Sequence, residues 1–215
     1  MKEYTTDKIH FVNCDCMEFM KQFPDKYFEL AICDPPYGGG AEANAEESFK
    51  CGLVGRFGQR FEKYLQKPEC KRTGGQWASK YENLIENWDI APGEEYFKEL
   101  FRVSKNQIIW GGNYFNLPAT RCFVVWDKQN SEDFSMAMAE YAWTSFNQNA
   151  KIFRLPPMGN KNDPRFHPTQ KPVKLYDWLL NRYAKAGDKI LDTHAGSGSS
   201  IIAANPFLSR LSRVS

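Results

Sequence analysis

The segment Phe28–Cys33 (FELAIC) constrains the fold of this 215-residue chain more than any other feature. It is a nearly continuous apolar run bounded by turn-forming residues, and it ends abruptly at Asp34. A strand that is apolar at successive positions has to be buried on both faces, which is typical of a parallel strand covered by helices. The run therefore predicts an α/β fold with helices on both sides of a sheet.

Further strand and helix signals alternate along the chain. Strands are predicted at residues 8–13, 107–110, 122–126, 139–143 and 189–191. Helices are predicted at residues 15–22, 93–103 and 174–185, and in a short segment that ends at Ala204. The alternation predicts a doubly wound, mostly parallel sheet in one domain over residues 1–204, with a mobile basic loop at 41–80, a connecting loop at 151–166 and an atypical tail at 205–215.

The composition excludes several classes of protein. With 42% hydrophobic and 25% charged residues, the chain is close to the globular average and is not disordered, collagen-like or coiled-coil. It has no apolar run long enough to span a membrane and no signal peptide at its N-terminus, so we expect a cytoplasmic location. The six cysteines form no CxxC pair, so we expect neither disulfides nor a metal site.

Two segments are strongly basic, although the net charge of the chain is only +2. Residues 50–80 contain eight basic and two acidic side chains, and residues 151–174 contain six basic and one acidic. Two basic segments in an otherwise acidic chain favour binding to the phosphate backbone of a nucleic acid. The alternative is that both segments are solvated loops. The candidate nucleic-acid contacts are Arg56, Arg60, Lys63, Lys71, Arg72, Lys161 and Arg165.

The segment Asp34-Pro35-Pro36-Tyr37 is the first candidate site. Open α/β sheets bind their ligands at the carboxyl ends of the strands, which is where this segment stands. Two prolines stiffen the turn and remove two backbone donors, so a carboxylate and carbonyl oxygens remain as acceptors that suit an amino group. Tyr37 offers a flat face on which a base can stack. The alternative is a proline-rich turn with a surface aromatic.

A second candidate loop runs from Asp192 to Ser199 (DTHAGSGS) and opens a helix. Gly196 and Gly198 permit a close backbone approach, and the helix N-terminus presents free N–H groups. The loop has neither the Lys-Ser/Thr of a phosphate loop nor the third glycine and acidic residue of a dinucleotide site. The ligand class that remains for this loop is a nucleoside-type cofactor without a pyrophosphate.

The segment His167-Pro168-Thr169-Gln170-Lys171-Pro172 precedes a helix. Its polar side chains could meet a carboxylate, with Lys171 supplying the charge. The alternative is a helix-entry turn without a binding role.

The three segments together resemble the beta-type amino-methyltransferases that modify DNA with S-adenosylmethionine. DPPY comes first, then HPTQKP, then DTHAGSGS, and the resemblance spans residues 8–204. It implies a Rossmann-like methyltransferase fold in circularly permuted order. DPPY rather than SPPY points to adenine N6 rather than cytosine N4. The resemblance also implies a restriction-modification or phage setting.

The resemblance implies a role for each site residue. Asp34 and the Pro35 carbonyl would accept hydrogen bonds from the target amino group, and Tyr37 would stack on a base flipped out of double-stranded DNA. Asp15 resembles the acidic position that contacts the cofactor adenine, and it could equally be a helix N-cap. The residues expected to bind S-adenosylmethionine are Asp15, Asp34, Thr169, Gln170, Lys171, Asp192, Thr193, Gly196, Ser197 and Gly198.

The C-terminal segment departs from the family pattern. Asp192 is the last acidic residue, so the family's ribose-binding carboxylate is not present and the last strand of the sheet is expected to be missing. Pro206 is expected to interrupt the final helix. One alternative is therefore a non-catalytic remnant that binds DNA weakly, and another is a cytosine-N4 enzyme. A homodimer could cover the exposed flank of the sheet.

Overall fold

The computed structural model describes residues 2–37, 90–130, 137–156 and 170–211. The chain forms two compact units, the first made of Met1–Pro35 with Gly93–Ser215 and the second of Pro36–Pro92. In the second unit only residues 36–37 and 90–92 are described. The single domain expected over residues 1–204 stays a prediction.

The first unit contains strands and helices in alternation. Its strands are β1 (Lys2–Thr5), β2 (His10–Asn13), β3 (Phe28–Cys33), β4 (Ser104–Trp110), β5 (Phe123–Asp127), β6 (Ala139–Thr144), β7 (Lys151–Arg154) and β8 (Ile190–Leu191). Its helices are α1 (Cys16–Met20), α2 (Glu94–Val103), α3 (Val173–Tyr183) and α4 (Ser199–Leu211), with a short 3-10 turn at Gly112–Tyr114.

Six of these strands form one sheet in the order β7-β5-β6-β4-β3-β8. The pairs β3–β4, β3–β8 and β5–β7 are parallel, whereas β6 runs antiparallel to both β4 and β5. The mostly parallel sheet expected from the alternation of elements is confirmed. The antiparallel direction of β6 places its first residues at the edge where β4 and β5 end, since Ala139 pairs with Asp127 and Ala142 with Trp110.

The apolar run in β3 is buried on both faces, as its composition predicts. Successive side chains of a strand point to opposite faces. Leu30 and Ile32 pack in the cluster that contains α3 and α4 residues, whereas Ala31 and Cys33 pack with α1 and α2. Helices therefore cover both faces of the sheet, which is the doubly wound arrangement.

Two expectations about secondary structure are wrong, and one strand was not expected. Residues 151–154 are a strand, not part of a loop, because Phe153 pairs with Trp126 of β5 and packs on Trp178. The hairpin of β1 and β2 adds a strand before the one expected at residues 8–13. The last helix does not end at Ala204, since α4 continues to Leu211 through Pro206. A proline removes one N–H bond from a helix and bends it, but the turns on either side can persist.

Candidate active site

The candidate site begins where β3 and β8 end side by side. These strands are parallel, with Ala31 beside Leu191. Asp34 therefore follows β3, and Asp192 follows β8, at the same edge of the sheet. The two loops singled out in the sequence are brought together here, as expected for an open α/β sheet.

A row of four alternating charges starts at Asp34. The ammonium of Lys171 lies 2.5 Å from Asp34 Oδ2 and 3.1 Å from Glu140 Oε2. Lys128 Nζ lies 2.6 Å from the other oxygen, Glu140 Oε1. The two lysine side chains are only 4% and 9% exposed. This row, Asp34–Lys171–Glu140–Lys128, is called the charge row below.

Burial makes the charge row sensitive to the loss of any member. Removing one partner of a buried ion pair leaves an uncompensated charge, which destabilises strongly. Burial raises the pKa of the Glu140 carboxyl, but Lys171 and then Lys128 outweigh burial, so this pKa lies below its usual value. Glu140 is therefore ionised at neutral pH and can share the ammonium of Lys171 with Asp34.

Lys171 has protein partners that the sequence did not predict. The resemblance implies that Lys171 binds S-adenosylmethionine, and the structure places its ammonium between two protein carboxylates. Gln170 and Lys171 are both buried, in the turn before α3. Cofactor contacts by either residue stay a prediction.

Asp192 organises the glycine loop. Its carboxylate accepts the backbone N–H of His194 at 2.9 Å and the hydroxyl of Ser200 at 2.5 Å. Burial raises the pKa of Asp192 to about 6, against the effect of these two donors. These two bonds join the carboxylate to the loop backbone and to the first turn of α4.

The loop backbone is shaped for close approach. Gly196 has φ +51° and Gly198 has φ +75°. These positive angles lie in the left-handed region, which glycine adopts more easily than other residues. No atom lies within 4 Å of where a Cβ of Gly198 would stand, and Gly196 would meet only the His194 carbonyl oxygen, at 3.7 Å. Both positions therefore have space in front of the backbone, and Ser199 begins α4 directly afterwards.

A second polar chain fixes the loop from the side of α2. The Tyr96 hydroxyl lies 2.7 Å from Thr193 Oγ1, which lies 2.9 Å from His194 Nδ1. Burial raises the pKa of Tyr96 and lowers that of His194, so both are neutral at pH 7. The predicted site residue Thr193 is thereby held in place by a helix far away in the chain.

A cavity of about 620 Å³ lies beside the loop. It is within the size range of small-molecule sites. Asn13, Cys14, Asp192, Thr193 and Gly196 are among its lining residues, together with apolar side chains of β2, α1 and α3. The cavity and the open glycine backbone fit a nucleoside-sized ligand.

Asp15 acts as the N-cap of α1. One carboxylate oxygen accepts the N–H groups of Met17 at 2.8 Å and Glu18 at 3.0 Å. The capping alternative is therefore confirmed, and contact with a cofactor adenine stays a prediction.

The remaining predicted residues are placed as follows. Pro35 is buried behind Asp34, and Pro36 and Tyr37 are half-buried at the start of the second unit. Ser197 bonds Ser199 within the loop, with 3.0 Å between the hydroxyl oxygens. Outside the described residues lie Thr169, Arg56, Arg60, Lys63, Lys71, Arg72, Lys161 and Arg165. In the described ranges, no group of three or more His, Cys, Asp or Glu could hold a metal ion, and no helix is long and apolar enough to cross a membrane.

Sequence reasoning missed Glu140, Lys128 and Tyr96. Glu140 gave a usable signal, because it is a charged residue inside the otherwise strand-like segment Ala139–Thr144. Lys128 directly follows a strand, and Tyr96 lies on the apolar face of α2, where it is indistinguishable from a core residue.

The chain is similar to known proteins. Residues 28–207 match the model of the N6/N4 DNA methylase family. The Type II methyltransferase M2.MboI of Moraxella bovis is 24% identical to this chain, and the match covers 88% of this chain and 76% of that protein.

Two solved structures are also similar. The PvuII DNA methyltransferase, described as cytosine-N4-specific, has 12% identity and a TM-score of 0.53, covering 94% of this chain and 80% of that chain. The M1.HpyAVI–SAM complex has 15% identity and a TM-score of 0.45, covering 91% and 88%. The likeness to the PvuII enzyme shows a shared fold.

Proposed function

Because the chain belongs to the N6/N4 DNA methylase family, we propose that it transfers a methyl group from S-adenosylmethionine to the N6 amino group of adenine in double-stranded DNA. The observation that carries this proposal is the Asp34 carboxylate, held by Lys171 at the end of β3 and adjacent to the glycine loop that follows β8. In this proposal, an acceptor of amino hydrogens lies beside the loop that would hold a nucleoside cofactor.

The acceptor group in this proposal consists of oxygens only. The Asp34 carboxylate and the Pro35 carbonyl accept hydrogen bonds from the target amino group, which turns the nitrogen lone pair toward the methyl carbon. Bound S-adenosylmethionine would supply that methyl group, and its sulfonium sulfur would be the leaving group of the displacement. The amino nitrogen then loses one proton to solvent. Positioning and electrostatics supply the catalysis.

The cofactor would be held by the glycine loop and its cavity. Gly196 and Gly198 leave room for a ligand against the backbone, and Asp192 and Thr193 line the cavity. Asp192 and the Tyr96–Thr193 bond keep this loop in one conformation. A loop that is already ordered loses less entropy on binding.

Adenine is the proposed target because the motif begins with Asp34. In the family that this chain resembles, DPPY points to adenine N6 and SPPY to cytosine N4. The described specificity of the PvuII enzyme belongs to that protein, since a likeness at 12% identity concerns the fold alone.

The test uses the 215-residue chain, unmodified double-stranded DNA and S-adenosylmethionine with a labelled methyl group. We expect saturable cofactor binding by calorimetry and label in N6-methyladenine after digestion of the DNA. Label in N4-methylcytosine would contradict the adenine assignment. A folded chain that binds no cofactor would contradict methyl transfer, and a DNA-binding assay would then test the non-catalytic alternative.

Asp34→Ala tests the acceptor role directly, because it removes both oxygens of the carboxylate. Removing one preorganised group at a reacting centre lowers kcat about 10²- to 10³-fold. We expect this loss of rate, whereas Asp7→Ala, at an exposed position, should transfer methyl groups at the wild-type rate. Circular dichroism checks that both variants are folded. Normal transfer by a folded Asp34→Ala variant would show that the acceptor lies elsewhere.

A further inference from the structure

We propose that Glu140 and Lys128 are positioning residues that act through Lys171 on the Asp34 carboxylate. The inference rests on the proposed function, because Asp34 is there the acceptor of the target amino group. Neither Glu140 nor Lys128 touches the reacting atoms. They set how much of the positive charge of Lys171 is directed at Asp34.

The charge row is built from four separate segments of the chain. Asp34 follows β3, Lys171 precedes α3, Glu140 is the second residue of β6, and Lys128 follows β5. Glu140 pairs in register with Trp126, and the Lys128 N–H donates to the Met138 carbonyl at 2.9 Å. The β5–β6 ladder therefore holds Lys128 beside Glu140, and the antiparallel direction of β6 brings this pair to the edge where β3 ends.

The Lys171 ammonium has a restricted environment. It lies over the ring of Trp110, 5.3 Å from the ring centre, and its side chain is 4% exposed. Water is largely replaced by a buried indole on one side, so the interactions with the two carboxylates are weakly screened. Asp34 at 2.5 Å and Glu140 at 3.1 Å thus compete for one ammonium.

This competition affects the chemistry proposed for Asp34. The more strongly Lys171 interacts with Glu140, the more negative charge remains on Asp34 to accept the amino hydrogen. Lys128 weakens the attraction of Glu140 for Lys171 in the same way, because Lys128 neutralises the other oxygen of that carboxylate. Loss of Glu140 directs the ammonium entirely toward Asp34 and weakens Asp34 as an acceptor.

The experiment is a double-mutant cycle of Glu140→Gln and Lys128→Met in the full chain. The readouts are the methyl-transfer rate at saturating DNA and cofactor, the Kd of S-adenosylmethionine, and the urea midpoint. One hydrogen bond to a charged group corresponds to about a ten- to hundredfold effect. We expect Glu140→Gln to lower the rate at least about tenfold, with the Kd changed less than about threefold.

Lys128→Met distinguishes residues that act in series through Lys171 from residues that have independent effects. In the wild-type background we expect it to change the rate about threefold or more, and in the Glu140→Gln background to change it hardly at all. Additive effects of the two substitutions would overturn the proposal, as would a Glu140→Gln variant that alters only the Kd or only the urea midpoint. The matched control is Glu95→Gln, which breaks the exposed pair with Lys98 and should leave the rate unchanged.

A stability measurement keeps the two proposals distinguishable. A wild-type chain that transfers no methyl group contradicts the proposed function, and the cycle of Asp34→Asn with Glu140→Gln in urea unfolding then decides the inference. We expect the two substitutions to be coupled at least about fivefold in the unfolding constant, because both carboxylates bind one ammonium. Independent effects would overturn the inference even in an inactive chain. If Glu140→Gln does not fold, Lys128→Met with Asp34→Asn provides the same comparison.

Discussion

Asp192→Asn should remove a pH-dependent destabilisation that the wild-type chain carries above pH 6. The Asp192 carboxyl lies beneath the glycine loop, and burial raises its pKa from 3.8 to about 6. Asparagine has nearly the same shape. Its carbonyl oxygen can accept the His194 N–H, and its amide can donate to the Ser200 hydroxyl, which are the two groups bonded by Asp192.

The magnitude follows from the shift in pKa. The folded state holds the proton of Asp192 more tightly than the unfolded state does. The neutral carboxyl therefore stabilises the folded state fully below pH 3.8, and this stabilisation is lost as the pH rises through about 6. Each pKa unit corresponds to about 1.4 kcal/mol, so about two units amount to roughly 3 kcal/mol.

Urea unfolding of both proteins at several pH values between 4 and 8 measures this difference. The free energy of unfolding of Asp192→Asn, minus that of the wild type, should increase by roughly 2.5 kcal/mol from pH 4 to pH 7, since part of the change lies below pH 4. Lowered pKa values at Glu29, Glu99 and Glu140 have the opposite effect, but they are common to both proteins and cancel. Asp7→Asn controls for the loss of one negative charge. A difference that stays constant across this range would refute the reasoning.

Two further substitutions test the packing around the site. Gly112→Ala would place a Cβ 2.4 Å from the Cβ of Trp143, so we expect a loss of about 1–3 kcal/mol or more in urea unfolding, and an unchanged midpoint would contradict the packing. Tyr96→Phe removes the hydroxyl that bonds Thr193 at 2.7 Å. We expect it to lower stability by about 1 kcal/mol and to weaken S-adenosylmethionine binding in calorimetry, whereas wild-type values for both would show that the bond is unimportant.

Part of the fold could be predicted because local patterns carry it. The apolar run of β3 requires burial on both faces, and its side chains do alternate between the two core clusters. The β7 strand was missed because Lys151, Ile152, Phe153 and Arg154 have no strong strand pattern. Their pairing with β5 makes them a strand, and that pairing joins residues distant in sequence.

The candidate site was predictable to the same extent. Asp34 and Asp192 each end an apolar run, so sequence alone indicated two loops at one edge of the sheet. The charge row at that edge was not predicted, since Glu140 is a single charge within a strand-like segment and Lys128 stands in a segment without a recognisable motif. Their importance comes from contacts with Lys171 and with each other.

The sequence by itself determined the two acidic loops and the strands before them, because these depend on local composition and on the order of the elements. Only the tertiary structure decided the direction of β6. Periodicity shows that a segment is a strand, but it contains no information on which neighbour it pairs with or in which direction. An antiparallel β6 starts at the edge where β3, β4 and β5 end. That direction places the first residues of β6, which include Glu140, at this edge rather than its last residues. The Glu140 carboxylate therefore lies against Lys171, which also pairs with Asp34.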